Sequence, residues 1–338
     1  MNTRTAQPRH HVATSNVTRR DQSGRSQDHR KQRTKSQTQP RSVAPTRRHG
    51  EKGKLTIIPL GGNEEVGRNM SIFEYEDDIV IIDMGLQWPE EDMPGIDYII
   101  PNIEGLKGKE HNIRGVVITH GHYDHIGAIP HLITRLGNPT IYGTPLTLGI
   151  ITNRQEDFKT APLKLQSIER DSVLQLGKFR LSFFGGSHNI PAAVGVAITT
   201  PLGTILHTGD FKLDPKASGD LPAEIEKVKA WGKRGVLALM ADSTNAPQAG
   251  RQLTEGDIQG NIDEILKNAP GRIILGTFAS LLNRIQQIIW SAERLNKKVI
   301  IEGYSMKRNM ELAQALGYMH VKKGTIIQLK DMKQFSDN

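Results

Sequence analysis

The amino-acid sequence predicts an α/β protein with two folded parts behind a basic tail. Three observations carry that expectation. Apolar runs of strand length, bounded by Gly, Pro, Asn and Asp, recur from Lys54 to Met240. After Asn245 the texture changes to longer helical patterns alternating with short apolar runs, as in a parallel α/β unit. Ahead of both, the first 53 residues are rich in Arg, Gln, Ser, Thr and His and nearly devoid of large apolar side chains. A chain of 338 residues has room for about two domains. The expected units are a disordered basic tail over 1–53, a first domain over 54–245, and the beginning of a second over 246–338.

Each element has its own warrant. A tail of that composition buries too little surface to offset its ordering entropy. Residues 1–54 hold 14 Lys/Arg against 3 Asp/Glu, a net of +11, so the remaining residues carry −3 of the overall +8. The basicity belongs to the tail, which suits either electrostatic contact with RNA or plain solubilisation. Strands are expected over Lys54–Leu60, Met70–Tyr75, Asp78–Asp83, Gly115–Thr119, Pro139–Tyr142, Phe179–Phe184, Val194–Thr199, Gly203–Thr208 and Val236–Met240, the last as a buried strand. Helices are expected over Ile126–Leu136 and between Leu146 and Phe158. In the second part the order is helix Thr254–Asn268, strand Arg272–Gly276, helix Leu281–Leu295, strand Lys298–Glu302 and helix Lys307–Leu316.

Composition narrows the chemistry. There are no cysteines, which excludes disulfides, thiolate nucleophiles and Cys-based zinc sites, so a metal would need His, Asp or Glu. No run of about 18 apolar residues occurs, so no membrane span is expected. The N-terminus lacks an apolar stretch of secretory type, and Arg19-Arg20 is not followed by one. A cytoplasmic location is the expectation.

The strongest signal is Ile118-Thr119-His120-Gly121-His122-Tyr123-Asp124-His125. An apolar strand ends and four potential ligands follow. His120 and His122, two apart across a glycine, can point to one metal, while Asp124 and His125 can reach a second. Imidazole with carboxylate suits zinc or manganese. A lone histidine is more often structural, but three with an aspartate at this spacing are not. Asp83 closes the run IVIID, His188 follows Phe184-Gly185-Gly186-Ser187, and Asp210 follows His207-Thr208-Gly209. Taken singly, Asp83 fits a turn, His188 a loop and His207 a buried strand.

HGHYDH resembles the HxHxDH motif of the metallo-β-lactamase superfamily, and its companions come in the superfamily's order. The resemblance implies an αββα sandwich, incomplete here, with an inserted β-CASP domain of parallel α/β type just beginning. It implies one metal on His120, His122 and His188, a second on Asp124 and His125, and Asp210 bridging them. Asp83 would orient a ligand or the bound water. Two divalent ions follow, zinc first, with manganese or magnesium as alternatives. They would supply hydroxide for attack on a phosphodiester, with Asp124 doubling as proton acceptor.

Further stretches resemble the ribonuclease J family within this superfamily. They are Leu60-Gly61-Gly62-Asn63-Glu64-Glu65-Val66-Gly67-Arg68-Asn69, Gly85-Leu86 with Pro94-Gly95-Ile96-Asp97-Tyr98-Ile99-Ile100-Pro101, and Met240-Ala241-Asp242-Ser243-Thr244-Asn245. Thr277-Phe278-Ala279-Ser280 and Gly303-Tyr304-Ser305-Met306 resemble its RNA-contacting loops. The resemblance makes Asp242 an acidic residue of the catalytic region, with Asp124 and Asp83, and gives Phe278, Ser280 and Ser305 to RNA. Each has a plainer alternative: a turn cap for Asp242, helix caps for the serines, and a core position for Phe278. One departure is Leu281-Leu282-Asn283-Arg284, where the family has Asn-Ile-His-Arg.

The implied activity is metal-dependent RNA hydrolysis, endonucleolytic and 5′-to-3′ exonucleolytic, in RNA processing and decay. Family members continue beyond this length with two more histidine motifs, one completing the second metal site. The chain is therefore expected to be an N-terminal piece with little activity alone. The whole protein is expected to form homo-oligomers and to meet other RNA-decay proteins. The rivals are a small-molecule metallo-hydrolase of the same fold and a non-catalytic RNA-binding protein.

Overall fold

The computed structural model describes residues 53–158, 161–212, 221–250 and 252–335. The basic tail expected over 1–53 lies, but for Gly53, outside them. Strands β1 (Leu55–Gly61), β2 (Met70–Tyr75), β3 (Asp78–Ile82) and β4 (Ile113–Val117) are followed by short helices α1 (Tyr123–Ile126) and α2 (Ile129–Leu132). Then come β5 (Ile141–Gly143), α3 (Pro145–Gln155), β6 (Leu165–Ser167), β7 (Val173–Leu176), β8 (Phe179–Gly185), β9 (Val194–Thr200) and β10 (Gly203–His207). Helix α4 (Leu221–Arg234), β11 (Ala238–Met240), α5 (Glu255–Asn268), α6 (Leu282–Arg294) and α7 (Tyr304–Ala315) complete the order.

The strands form two sheets, β1-β2-β3-β4-β5-β6 and β11-β10-β9-β8-β7. The first is antiparallel through β3 and parallel from β3 to β6. Side chains alternate between its faces, as period two requires. Phe73, Val80, Ile82 and Val117 meet Phe179, Leu181, Val196 and Ile198 of the second sheet in one dry layer. Ile72, Ile79, Ile81, Val116 and Ile118 face the opposite way, onto Ile126, Ile129, Leu132, Leu146 and Ile150 of the helical layer. On the far side of the second sheet, Phe184, Ala197 and Leu206 pack against Val228 and Trp231 of α4. The result is an α/β/β/α sandwich, the fold the sequence predicted. The helical layer continues past residue 245, for Leu282, Ile285, Ile289, Met310 and Ala313 belong to the same buried cluster.

Four expectations need correction. Ile126–Leu136 is not one helix, because Gly127 ends α1 and Pro130 has no amide hydrogen to carry the ladder through, so it opens α2 instead. Only Ala238–Met240 of the expected buried strand forms, and Leu239 is 60% exposed. It pairs with β10 alone, at the sheet's edge. Arg272–Gly276 and Lys298–Glu302 are not strands, apart from a bridge between Val299 and Ile326. A strand needs a ladder, and no described segment pairs with the first, where Ile274 is fully exposed. Helix α4, rich in Lys and Glu, was not expected.

A candidate two-pole metal centre

The chemistry-bearing residues gather at one end of the sandwich, beyond the C-terminal ends of β3, β4, β8, β10 and β11. Asp83 follows β3, and the motif from Thr119 to His125 follows β4. His188 lies beyond β8, Asp210 beyond β10 and Asp242 beyond β11. Main-chain bonds lock these ends together: Asp83 N–H donates to Val117 O (2.9 Å), Val194 N–H to Thr119 O (3.0 Å) and Thr208 N–H to Met240 O (3.0 Å).

Among the described residues, two groups of ligand atoms lie mutually within 4.8 Å: His120, His122 and His188, and His120, His125 and Asp210. In the first group His122 Nδ1 is 3.1 Å from both His120 Nε2 and His188 Nε2. In the second, Asp210 Oδ1 is 3.3 Å from His125 Nε2. The other oxygen of the same carboxylate, Oδ2, is 3.7 Å from His188 Nε2 and 4.0 Å from His120 Nε2. Asp124 Oδ2 is 3.4 Å from His125 Nε2. One pole is thus an imidazole triad and the other His125 with Asp124, while Asp210 turns one oxygen to each.

The outer ring atoms set which nitrogens face inward. His125 Nδ1 lies 2.8 Å from Asp83 Oδ2, which also accepts from the Thr119 hydroxyl at 2.9 Å. Asp83 Oδ1 accepts the Thr119 amide at 2.8 Å. The Thr119 hydroxyl is in turn 3.0 Å from His120 Nδ1. With both Nδ1 atoms as donors, the Nε2 lone pairs of His120 and His125 are left for a ligand. Asp83 holds a left-handed φ of 62°, a conformation that this buried network sustains.

The poles differ in charge. Burial, then the neighbouring histidines, keep His120 well below the ordinary imidazole range. The same causes lower His122 to about 4, and burial lowers His188. For His125 burial also pulls down, but Asp83, Asp124 and Asp210 outweigh it and hold the ring well above that range. Burial pulls Asp124 and Asp210 upward, yet the charge and hydrogen bond of His125 prevail, bringing Asp210 to about 2. The residues fit a pair of divalent cations. Between the facing nitrogens of three neutral rings a single His122 Nδ1–H is the one proton available, and His122 Nε2 is buried without a partner. A set of His and Asp with no thiolate suits zinc or manganese.

The remaining expected residues fall in different places. Asp242 Oδ1 caps a turn, accepting from the Thr244 amide and hydroxyl at 2.8 and 2.7 Å, while Oδ2 reaches Phe211 N at 3.4 Å, beside Asp210. Phe278 is 78% exposed, which removes the core alternative. Neither serine caps a helix: Leu281 and Gly303 hold the cap positions of α6 and α7. None of these three donates to the His–Asp cluster.

Sequence reasoning gave no role to Asn69, Thr119 or Asn283, and left His207 as a strand residue. His207 Nδ1 accepts from Gly209 N at 3.1 Å and so braces the turn into Asp210. Thr119 and Asn69 lie inside the quoted motifs, but only their partners in space show what they hold.

Known proteins resemble this chain over most of its length. Residues 64–227 match the metallo-beta-lactamase superfamily, and residues 270–338 match the ribonuclease J beta-CASP domain. Ribonuclease J of Thermus thermophilus is 42% identical over 296 residues, covering 86% of this chain and 52% of that protein. Ribonuclease J2 of Bacillus subtilis is 36% identical, covering 83% of this chain and 51% of that protein. The chain thus spans about half the length of these relatives. The crystal structure of a protein of unknown function from Enterococcus faecalis V583 superposes with a TM-score of 0.61 at 16% identity, covering 84% of this chain and 76% of its own, a likeness of fold.

Proposed function

Since this chain belongs to the ribonuclease J family of the metallo-β-lactamase superfamily, we propose that its protein hydrolyses RNA with two divalent ions, as an endonuclease and 5′-to-3′ exonuclease. The observation that carries the two-ion reading is the Asp210 carboxylate, with one oxygen toward His125 and the other toward His188 and His120. His120, His122 and His188 would hold one ion, Asp124 and His125 the other, with Asp210 between. Zinc is the first candidate, with manganese or magnesium as alternatives. Bound there, such ions lower the pKa of water and neutralise charge on phosphoryl oxygens.

The protein's own residues do the rest. Asp83 and Thr119 fix the rings of His120 and His125. Asp124 is held as a carboxylate by His125 and so acts as ligand and proton acceptor, not as acid. Asp242 sets Phe211 and the turn that carries Asp210. Phe278, exposed on the loop before α6, offers a stacking face to a base. Ser280 and Ser305 stand at the starts of α6 and α7, where phosphate is favoured. The +11 tail would add sequence-independent attraction to RNA that fades with salt. We place the protein in the cytoplasm, as a homo-oligomer among other RNA-decay proteins. No helix of the described residues is long and apolar enough to cross a membrane.

The test is cleavage of a 5′-monophosphorylated single-stranded RNA by the whole protein, with nitrocefin as the small-molecule control. His122→Ala or Asp124→Ala should lower cleavage at least a hundredfold, about 3 kcal/mol of transition-state stabilisation, and leave RNA affinity within about threefold. Unchanged cleavage by either variant would sink the assignment. Nitrocefin turnover with RNA untouched would favour a small-molecule hydrolase.

A further inference from the structure

Each pole of the centre is gripped from outside by one asparagine that belongs to neither ligand group. Asn69, at the end of the loop after β1, directs its side-chain amide at the second pole. Its Nδ2 lies 3.1 Å from Asp124 O, 3.4 Å from Asp124 Oδ2 and 3.2 Å from His125 Nε2. Both Asp124 oxygens are acceptors, so the NH2 group belongs on that side. The other side of the amide depends on glycine at 62, where a Cβ would stand 2.2 Å from Asn69 Oδ1. The main chain doubles the grip: Asn69 N–H donates to Asp124 O at 3.0 Å and Gly85 N–H to Asn69 O at 2.9 Å.

Asn283 does the equivalent at the first pole from a different part of the chain. It is the second residue of α6, beyond residue 245. Its Nδ2 donates to His188 O at 2.8 Å, and its main-chain N–H to Asn189 O at 3.3 Å. His188 sits on a loop between β8 and β9, and burial alone does not aim its ring. Asn283 ties that loop to α6, whose next turns are anchored in the core by Ile285 and Ile289.

We propose that Asn69 and Asn283 are paired positioning residues, Asn69 for the Asp124–His125 pole and Asn283 for the His188 pole. Asn69 fixes the turn and carboxylate of Asp124 that the second ion would take. Asn283 fixes the third imidazole of the first ion and makes that site depend on α6. The inference rests on the two-ion reading for its metal measurements, but the hydrogen bonds themselves do not.

The experiment is a double dissociation on the protein in metal-free buffer. Zinc is titrated into the unaltered protein, Asn69→Ala and Asn283→Ala by calorimetry, and cobalt is titrated in parallel to read each site's visible absorption. Both substitutions keep the main-chain bonds and delete only the amide. Asn69→Ala should weaken the second ion at least tenfold and leave the first within threefold; Asn283→Ala should do the reverse. Losses of this size are those seen when a partner of a metal ligand is removed. Equal weakening of both ions, loss of the fold, or no change in either variant overturns the proposal. Proton exchange of the two side-chain amides in the metal-free protein gives an independent reading. Slow exchange supports both grips, and exchange at the rate of a free amide overturns them. Uptake of fewer than two ions by the unaltered protein defeats the two-ion reading, and the exchange rates then decide the asparagines alone.

Discussion

Both poles of the centre offer histidine to a metal, and their histidines reach opposite states. His125 is wired into the first sheet through Asp83 and is surrounded by three carboxylates, which hold it protonated without metal. His120, His122 and His188 face mainly one another, and burial keeps them neutral. One pole therefore meets a metal with its lone pairs free, and the other must first release a proton. The lesson is that a histidine's proton affinity is set by the carboxylates around it, here the ligands Asp124 and Asp210 together with Asp83 behind them.

The comparison is broken most severely at the glycines. A Cβ on Gly85 would lie 1.5 Å from Asp124 O, a main-chain atom that cannot step aside. A Cβ on Gly121, between His120 and His122, would meet Ile150 Cδ1 at 2.8 Å, the far end of a side chain that can rotate. Gly85→Ala should cost at least about 3 kcal/mol and remove the second ion, while Gly121→Ala should cost about 1 kcal/mol, in the range for overpacking. Chemical denaturation together with metal content checks both. Equal costs would mean that the two poles are equally rigid.

Acidity sharpens the comparison without a mutation. The metal-free His125 titrates above the ordinary imidazole value, so protons compete for it from there downward as pH falls. His122 stays neutral to about 4, and His120 and His188 also titrate below the ordinary value. Lowering the pH from 8 to about 5.5 should therefore weaken the second ion by roughly tenfold per unit once His125 is protonated, and leave the first nearly unchanged. Calorimetric titrations at several pH values check this, and parallel losses at both poles would contradict the assigned charges.

Much of this was legible in the residues. β2 was bounded correctly because MSIFEY alternates between two buried faces of one sheet. The cluster His120, His122, Asp124, His125, His188, Asp210 could be read because its members follow apolar strands in a known order. The parts that could not be read depend on partners distant in sequence. Arg272–Gly276 has the apolar pattern of a strand but no ladder among the described residues. Ile126–Leu136 has helical spacing, yet Pro130 divides it. Asn69 reads as the end of a glycine-rich turn, and only the fold shows Asp124 against its amide, 55 residues away. Asn283 looked like the loss of a family histidine, whereas the structure gives it the carbonyl of His188.

The smallest effect on metal binding is expected where the two poles join. His120 Nδ1, the Thr119 hydroxyl, Asp83 Oδ2 and His125 Nδ1 form one continuous chain of hydrogen bonds, at 3.0, 2.9 and 2.8 Å. Thr119→Val keeps the shape and removes the central hydroxyl. Asp83 would keep the Thr119-position amide and His125, so the second pole should hold. His120 Nδ1 would lose its partner in a fully buried place, at about 1–2 kcal/mol. Its ring would no longer be confined to the tautomer that leaves Nε2 free. The first ion should therefore weaken by several-fold and the second hardly at all, the reverse of the Gly85 effect. Nitrogen-15 spectra of the His120 ring check the tautomer directly. A ring that keeps Nδ1–H in Thr119→Val would show that burial and the facing histidines orient it without the hydroxyl.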